Sequence, residues 1–277
     1  MVIDSHQHFW QIARGDYGWL TEDLGPIYRD FLPADLAPML ADASIKKTIL
    51  VQAADSEAET QFMLGLAEQT DFIAGVVGWV DMAASDAAEC IGELAQNPYL
   101  KGIRPMIQDI ADDDWMLRAE LDSAFNALLD NKLSFDALVL PRHLPNLLTL
   151  LKRYPTLRTV VDHGAKPDIA NDSSSQWQAD IAAIAEHTQA YCKVSGLVTE
   201  AGERTAKEHL QPYFDHLYNS FGGDRLMWGS DWPVLNLSMD YSDWRALSLA
   251  LMAELPEHEQ QQLLGKNAAV FYQLQEV

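Results

Sequence analysis

Short runs of β-branched and apolar residues recur along the chain, and stretches with apolar positions three and four residues apart lie between them. The runs are 2-VIDSHQH, 48-TILVQA, 72-FIAGVVGWV, 100-LKGIRPM, 135-FDALVL, 158-RTVVDHG, 192-CKVSGL and 226-LMWGSDW. They are nearly continuously apolar rather than alternating, as parallel strands covered by helices are. Among the intervening stretches, Phe62, Met63, Leu66 and Ala67 make one helical stripe. Leu117, Leu121, Phe125 and Leu128 make another. Eight strand–helix repeats predict an α/β fold of the (β/α)8 barrel type. A doubly wound sheet is the alternative, but no Gly-rich phosphate loop follows the first strand, where that fold needs one.

No low-complexity linker divides the chain, so one domain over residues 1–277 is expected, with extra helices at 257–274 closing an end of the barrel. The first connection, from Phe9 to about Asp30, exceeds the usual ~2–6 residues of such loops. It carries Trp10, Tyr17, Trp19 and Tyr28. Two readings fit it: a wall or lid over a pocket, or an apolar cover for the barrel end.

Composition narrows the partners. Forty-one acidic residues against nineteen Lys and Arg leave a formal charge of −22. A polyphosphate backbone or an anionic bilayer would be repelled, so neither nucleic acid nor membrane is an expected partner. Much of the acid lies in helix-like stretches such as 253-AELPEHEQQQ, which a solvated face explains. No run approaches ~18 apolar residues, and the N-terminus lacks signal-peptide character, so a cytoplasmic address is expected. Cys90 and Cys192 are too few for a disulfide scaffold or a cysteine zinc cage, and read as reduced, buried thiols. A homodimer is compatible with the sequence, which names no interface.

In a (β/α)8 barrel the reactive groups stand at the C-terminal ends of strands. Strand one ends in His6-Gln7-His8, two imidazoles on one side of the strand. Strand four carries Arg104, strand six ends in Asp162-His163-Gly164, and strand eight delivers Asp231 before Trp232-Pro233. Gln52 and Asp136 are secondary candidates. Convergence of three histidines and a carboxylate on one barrel face points to a polar reaction centre. His187, His209, His216 and His258 fall in helical stretches, where surface or capping roles suffice, and His143 is open. Arg104 either binds a substrate oxygen or pairs with Asp136 or Asp4 inside the barrel. Lys166 is a substrate contact or a surface residue. Trp10, Trp79 and Trp232 either stack on a ligand or pack in the core.

The segments 4-DSHQHFW, 15-GDYGWL, 31-FLPADL, 102-GIRP, 162-DHGAKP, 194-VSGL and 229-GSDWP, in this order, resemble the amidohydrolase superfamily in its amidohydrolase-related (family 2) branch. They look most like its sugar-acid lactonases of the L-fuconolactonase and L-rhamnonolactonase types. The resemblance covers essentially the whole chain and implies hydrolysis by an activated water at the barrel mouth. It implies Asp231 as general base and His163 as hydrogen-bond donor to the carbonyl. His6 and His8 then polarise the carbonyl directly or through a metal. In the superfamily pattern two strand-one histidines, a strand-five histidine and the strand-eight Asp hold that metal. His6, His8 and Asp231 match, while strand five, Phe135 to Leu140, has no histidine. Two histidines and a carboxylate still suit one zinc ion, though lactonases of this branch are thought to work without one.

Because few cations are predicted at the mouth (Arg104, Arg142, Lys166), a neutral aldonolactone is the expected small-molecule substrate, rather than a dicarboxylate. Arg104, Trp10, Trp79, Trp232, Lys166 and Gln52 are its expected contacts. The alternatives are a metal-dependent amidohydrolase or decarboxylase acting on another small substrate, and a barrel that binds a sugar acid without turnover.

Overall fold

The computed structural model describes residues 1–274, so the last three positions of the expected domain lie outside the described residues. Eight parallel strands follow one another in chain order: β1 Ile3–Gln7, β2 Lys47–Val51, β3 Ile73–Gly78, β4 Leu100–Ile103, β5 Ser134–Ala137, β6 Thr159–Val161, β7 Tyr191–Val194 and β8 Leu226–Trp228. Sequential order around the sheet removes the doubly wound alternative, whose strand order reverses at a switch point. The helices between them are α1 Pro33–Asp42, α2 Glu57–Ala67, α3 Ala87–Leu94, α4 Asp122–Asp130, α5 Leu144–Arg153, α6 Ser175–His187, α7 Lys207–Phe221 and α8 Tyr241–Leu251. Each of these eight turns a buried apolar stripe to the barrel, as Leu144, Leu147, Leu150 and Leu151 do in α5. None of the described helices is long and apolar enough to cross a membrane.

The seam between β8 and β1 closes just beyond the strands. There the His8 amide donates to Trp232 O at 2.7 Å and the Asp231 amide to His6 O at 2.8 Å. Lower down, Ser5 Oγ donates to Trp228 O at 2.7 Å. Gly229 makes this approach possible: a Cβ there would lie 2.7 Å from the Cβ of His6. The residues bearing the candidate chemistry are thus stitched to each other by main chain.

Two layers fill the barrel below its mouth. The floor is aliphatic: Ile3, Ile49, Val51, Val77, Val160 and Met227 pack against Phe271 and Tyr272 from the C-terminal helix Asn267–Phe271 and the residue after it. Above it lies a charged layer of Arg104, Asp136, Asp162 and Lys193, all buried. β1 serves both the floor and the mouth, through Ile3 and then His6 and His8. That parity change coincides with a register shift between Asp4 and Gln7 in the pairing with β2, a local irregularity of the kind that re-aims side chains beside active sites.

The long first connection is tied off at its base by reciprocal bonds between Trp10 and Phe31 (Trp10 N to Phe31 O 2.9 Å, Phe31 N to Trp10 O 3.0 Å). Its inner face, Trp10, Tyr17, Leu20 and Ile27, is buried. Its tip docks on the end of β2, with Trp19 Nε1 donating to Ala53 O at 2.6 Å and Ser56 Oγ to Asp16 Oδ2 at 3.1 Å. The loop therefore covers the barrel end and, through Trp19, also walls the pocket, so the two alternative readings of it are not exclusive.

Candidate active site

Asp231 stands at the centre of the mouth with three imidazoles around one of its oxygens. Its Oδ1 is 3.2 Å from His8 Nε2, 3.7 Å from His6 Nε2 and 3.8 Å from His163 Nε2. Burial alone would push this carboxyl up, but His163, His8 and His6 together hold it well below the usual carboxylate range. Asp231 is an anion at neutral pH. His163 is the converse: burial lowers its imidazole to about 4, so the ring is neutral. His6 is neutral too, held well below its ordinary value first by burial and then by Lys193.

Backbone geometry aims two of these groups. His163, Gly164, Ala165 and Lys166 run consecutively at φ of 54°, 57°, 61° and 51°, and Asp231 sits at 61°. A left-handed conformation costs a non-glycine residue roughly 1–2 kcal/mol, and such strain collects where a side chain must be aimed.

The charged layer holds His6 from below. Lys193 Nζ is 2.8 Å from Asp136 Oδ2, 2.9 Å from Asp162 Oδ1 and 3.2 Å from His6 Nδ1. Asp136 also accepts from Ser134 Oγ at 2.7 Å and Tyr272 OH at 2.6 Å. Arg104 pairs with Asp162 (Nη1 to Oδ2 3.2 Å), so of its two expected roles, substrate contact or internal ion pair, the pair is present but with neither Asp136 nor Asp4. The reason is occupancy: Lys193 saturates Asp136, and Asp4 accepts from the Ser230 amide and Tyr241 OH at 2.8 Å each.

Gln52 is fully buried and serves Arg104, taking Nε at 3.2 Å and Nη2 at 2.8 Å on Oε1 and Nη2 again on its carbonyl. Arg104 Nη1 also lies 3.3 Å from His6 Nε2. Every nitrogen of the guanidinium is engaged, so Arg104 shapes the field of the site and has no free fork for a carboxylate.

A cavity of about 220 Å³ opens above these groups, lined by His8, His163, Asp231, Arg104, Lys166 and Trp19 with the apolar Ala53, Met106, Leu138 and Val234 and the polar Gln108 and Asp109. Pockets for drug-sized molecules hold roughly 300–1,000 Å³, so this one suits a single sugar-sized ring. Trp10 and Trp232 are fully buried, packed on Phe31 with ring centroids at 5.6 and 5.1 Å, and have no face left for a ligand. Trp79, half-buried, and Gln52 are also absent from the cavity wall. Trp19 takes the place expected of these tryptophans. Arg142 is exposed, pairs with Asp113 at 2.8 Å and does not reach the wall. His143 is buried and accepts the Leu140 amide at 3.1 Å, capping a turn. Cys192 is buried, but Cys90 is only half-buried on α3.

Lys193 and Ser195 were not singled out from the sequence. The 192-CKVSGL run carries a lysine two residues before a serine, which places both on the inner side of β7.

The donor set suits a divalent cation. Ligand atoms of His6, His163 and Asp231 lie within 4.8 Å of one another, with His163 in the place expected of His8. His8 has ligand chemistry of its own: its Nδ1 donates to Val51 O at 2.7 Å, and its Nε2 lies 3.2 Å from Asp231 Oδ1. An imidazole anchored to a carbonyl by one nitrogen is the form in which histidine holds zinc. Against this, Arg104 and Lys193 place positive charge at both nitrogens of His6.

The chain matches the family model described as amidohydrolase over residues 3–274. It is 44% identical to an L-fucono-1,5-lactonase of Burkholderia ambifaria, across 98% of this chain and 95% of that one. A second L-fucono-1,5-lactonase, from Burkholderia multivorans, is 36% identical across 99% and 96%. The crystal structure of an amidohydrolase from Burkholderia multivorans with bound zinc superposes with a TM-score of 0.94 at 35% identity, covering 99% of this chain and all of that one. With the barrel, the strand-end histidines and aspartate, and a family match along almost its whole length, the chain belongs to the amidohydrolase family.

Proposed function

We propose that this protein hydrolyses a neutral sugar-acid lactone, an aldonolactone of the L-fucono- or L-rhamnono- class. The observation that carries the reading is the ionised Asp231 ringed by imidazoles at the base of a cavity sized for one sugar ring. The L-fucono-1,5-lactonase relatives support the substrate class.

Lactone opening needs an attacking water, a polarised carbonyl and a proton for the ring oxygen. Asp231 takes a proton from the water as the water oxygen bonds to the carbonyl carbon. A carboxylate held this low is a weak base, but a lactone is an activated ester and the base is fixed in place. His163, neutral and on the cavity wall, donates a hydrogen bond to the carbonyl oxygen as charge grows there. The ring C–O bond then breaks, and the proton on Asp231 passes to the departing alkoxide to give the open hydroxy acid. The apolar wall of Ala53, Met106, Leu138 and Val234 keeps bulk water from the reacting carbonyl.

A divalent cation, held by Asp231 with His6 and His8 or His163, would supply Lewis-acid polarisation of the carbonyl. It is not required in this reading, because the His163 N–H already polarises the carbonyl oxygen.

Charge favours a neutral over a dianionic substrate. Arg104 is fully engaged, Lys166 is 3.5 Å from Glu200, and Asp109 and Asp231 are both on the wall. A dicarboxylate would meet no free guanidinium fork and two like charges. The test is a pH-indicator assay on a panel of aldonolactones, with and without chelator. Turnover of a 6-deoxy or galactono lactone that persists in chelator is expected. No turnover above the spontaneous rate for any lactone would overturn the reading, and activity lost wholly in chelator would move it to metal-dependent hydrolysis.

A further inference from the structure

Ser195 sits just past the end of β7, fully buried, with its Oγ 2.9 Å from His163 Nδ1. A hydroxyl has one proton to give and lone pairs to receive. Among the described residues, His163 Nδ1 is the one hydrogen-bond partner of this hydroxyl. Sealed from water, the Ser195 proton has Nδ1 as its acceptor; were Nδ1 to carry the proton instead, the hydroxyl hydrogen would have no acceptor at all.

Sterics hold the pair in register. Gly196 follows at φ +65°, and a Cβ there would fall 2.6 Å from Nδ1 and 2.8 Å from Cγ of the His163 ring. The Nδ1 side of the ring therefore lies close against the Gly196 backbone, and Ser195 meets the one polar atom on that inner edge. The outer edge, Nε2, is 3.8 Å from Asp231 Oδ1, beyond hydrogen-bond reach, and opens on the cavity.

We infer that Ser195 is a positioning residue which, by donating to Nδ1, fixes His163 as the Nε2–H tautomer and so presents an N–H to the carbonyl oxygen of a bound lactone. The two neighbouring imidazoles are held differently. His8 donates from Nδ1 to the Val51 carbonyl and turns Nε2 to Asp231 Oδ1 at 3.2 Å, so Nδ1 plays opposite roles in the two rings. A proton fixed on His163 Nε2 also removes that nitrogen from any cation-holding set, leaving His6, His8 and Asp231.

The kinetic consequence rests on the lactonase reading, whereas the tautomer does not, so both are measured. Imidazole 15N shifts of His163, assigned by difference from His163→Gln in the full chain, are expected to show a protonated Nε2 and a bare Nδ1. In Ser195→Ala the two tautomers are expected to mix. With the lactone the wild-type protein opens fastest, Ser195→Ala is expected to lower kcat about 10- to 100-fold with KM within about threefold, since a donor to developing charge acts mainly in the transition state. Ser195→Thr, which keeps the hydroxyl, is expected to restore the wild-type shifts. A protonated Nδ1 in the wild-type protein overturns the inference, as do unchanged shifts in a folded Ser195→Ala. If no lactone is turned over, the proposed function fails while the nitrogen shifts still decide the tautomer.

Discussion

Lys193 Nζ lies between Asp136 Oδ2 at 2.8 Å and Asp162 Oδ1 at 2.9 Å, with all three side chains fully buried. Each carboxylate has a second donor: Tyr272 OH for Asp136, Arg104 for Asp162. The ammonium is the link between the apolar floor and the histidines of the mouth.

Removing that link is costly, because breaking a buried ion pair from one side leaves the other charge uncompensated. Lys193→Met is expected to destabilise the protein by about 3–5 kcal/mol. The check is urea denaturation, with a lower midpoint at an unchanged slope. Adding Asp136→Asn should recover part of the loss, since it removes one of the stranded charges. A single variant within about 1 kcal/mol of wild type would show that the layer relaxes around the gap.

Strand ends carried most of what the sequence revealed. His6, His8, His163 and Asp231 could be placed because chain order and the barrel rule fix which residues reach the mouth. Lys193 is a charge on an interior strand just as Arg104 is, but it lies one position inside the strand end and so falls outside the strand-end rule. Partner choice was not readable: Arg104 takes Asp162 because Lys193 already holds Asp136. Trp10 and Trp232 looked like ligand platforms by position, yet the fold of the first loop buries them and brings forward Trp19. Which aromatic faces a cavity is settled by loop packing, which carries no periodic signature.

The lid's docking point should respond to pH through Glu59. It is fully buried near the start of α2, accepting the Ala53 amide at 3.0 Å and the Ala54 amide at 2.7 Å. Burial, partly countered by these bonds, pushes its carboxyl up from 4.5 to about 8. Below pH 4.5 the folded and unfolded chains both hold the proton, and between 4.5 and 8 only the folded one does. Stability from this group is therefore fully present below pH 4.5 and is lost as pH rises to 8, by up to about 5 kcal/mol in the one-proton limit. Glu59→Gln should flatten the fall in stability between pH 5 and 8, measured as melting temperature against pH. An unchanged slope would place the Glu59 carboxyl in the ordinary range.

Asp231→Asn separates turnover from binding. The amide cannot take a proton from water, and loss of a positioned base costs about 10²–10⁴-fold in rate. Affinity for the open-chain product acid should not fall and is expected to rise a few-fold, because the side chain keeps its size and a like charge leaves the neighbourhood of the product carboxylate. Calorimetric titration with that acid, alongside the lactone assay, makes the check. Loss of binding in step with turnover would mean that Asp231 acts chiefly by holding the ligand.

Trp19 tests the wall. It is the lid residue on the cavity and about a third exposed, at 37%, with its indole N–H fixed on Ala53 O. A ring standing over the sugar contributes to ground state and transition state alike, so Trp19→Ala should raise KM with kcat held within about twofold. The sugar–aromatic contact is lost on truncation, while Trp10 and Phe31 keep the loop closed through their paired main-chain bonds. Steady-state kinetics on the preferred lactone reads the split. If kcat falls while KM stays put, the lid is setting the geometry of attack at Asp231 and does more than wall the ring.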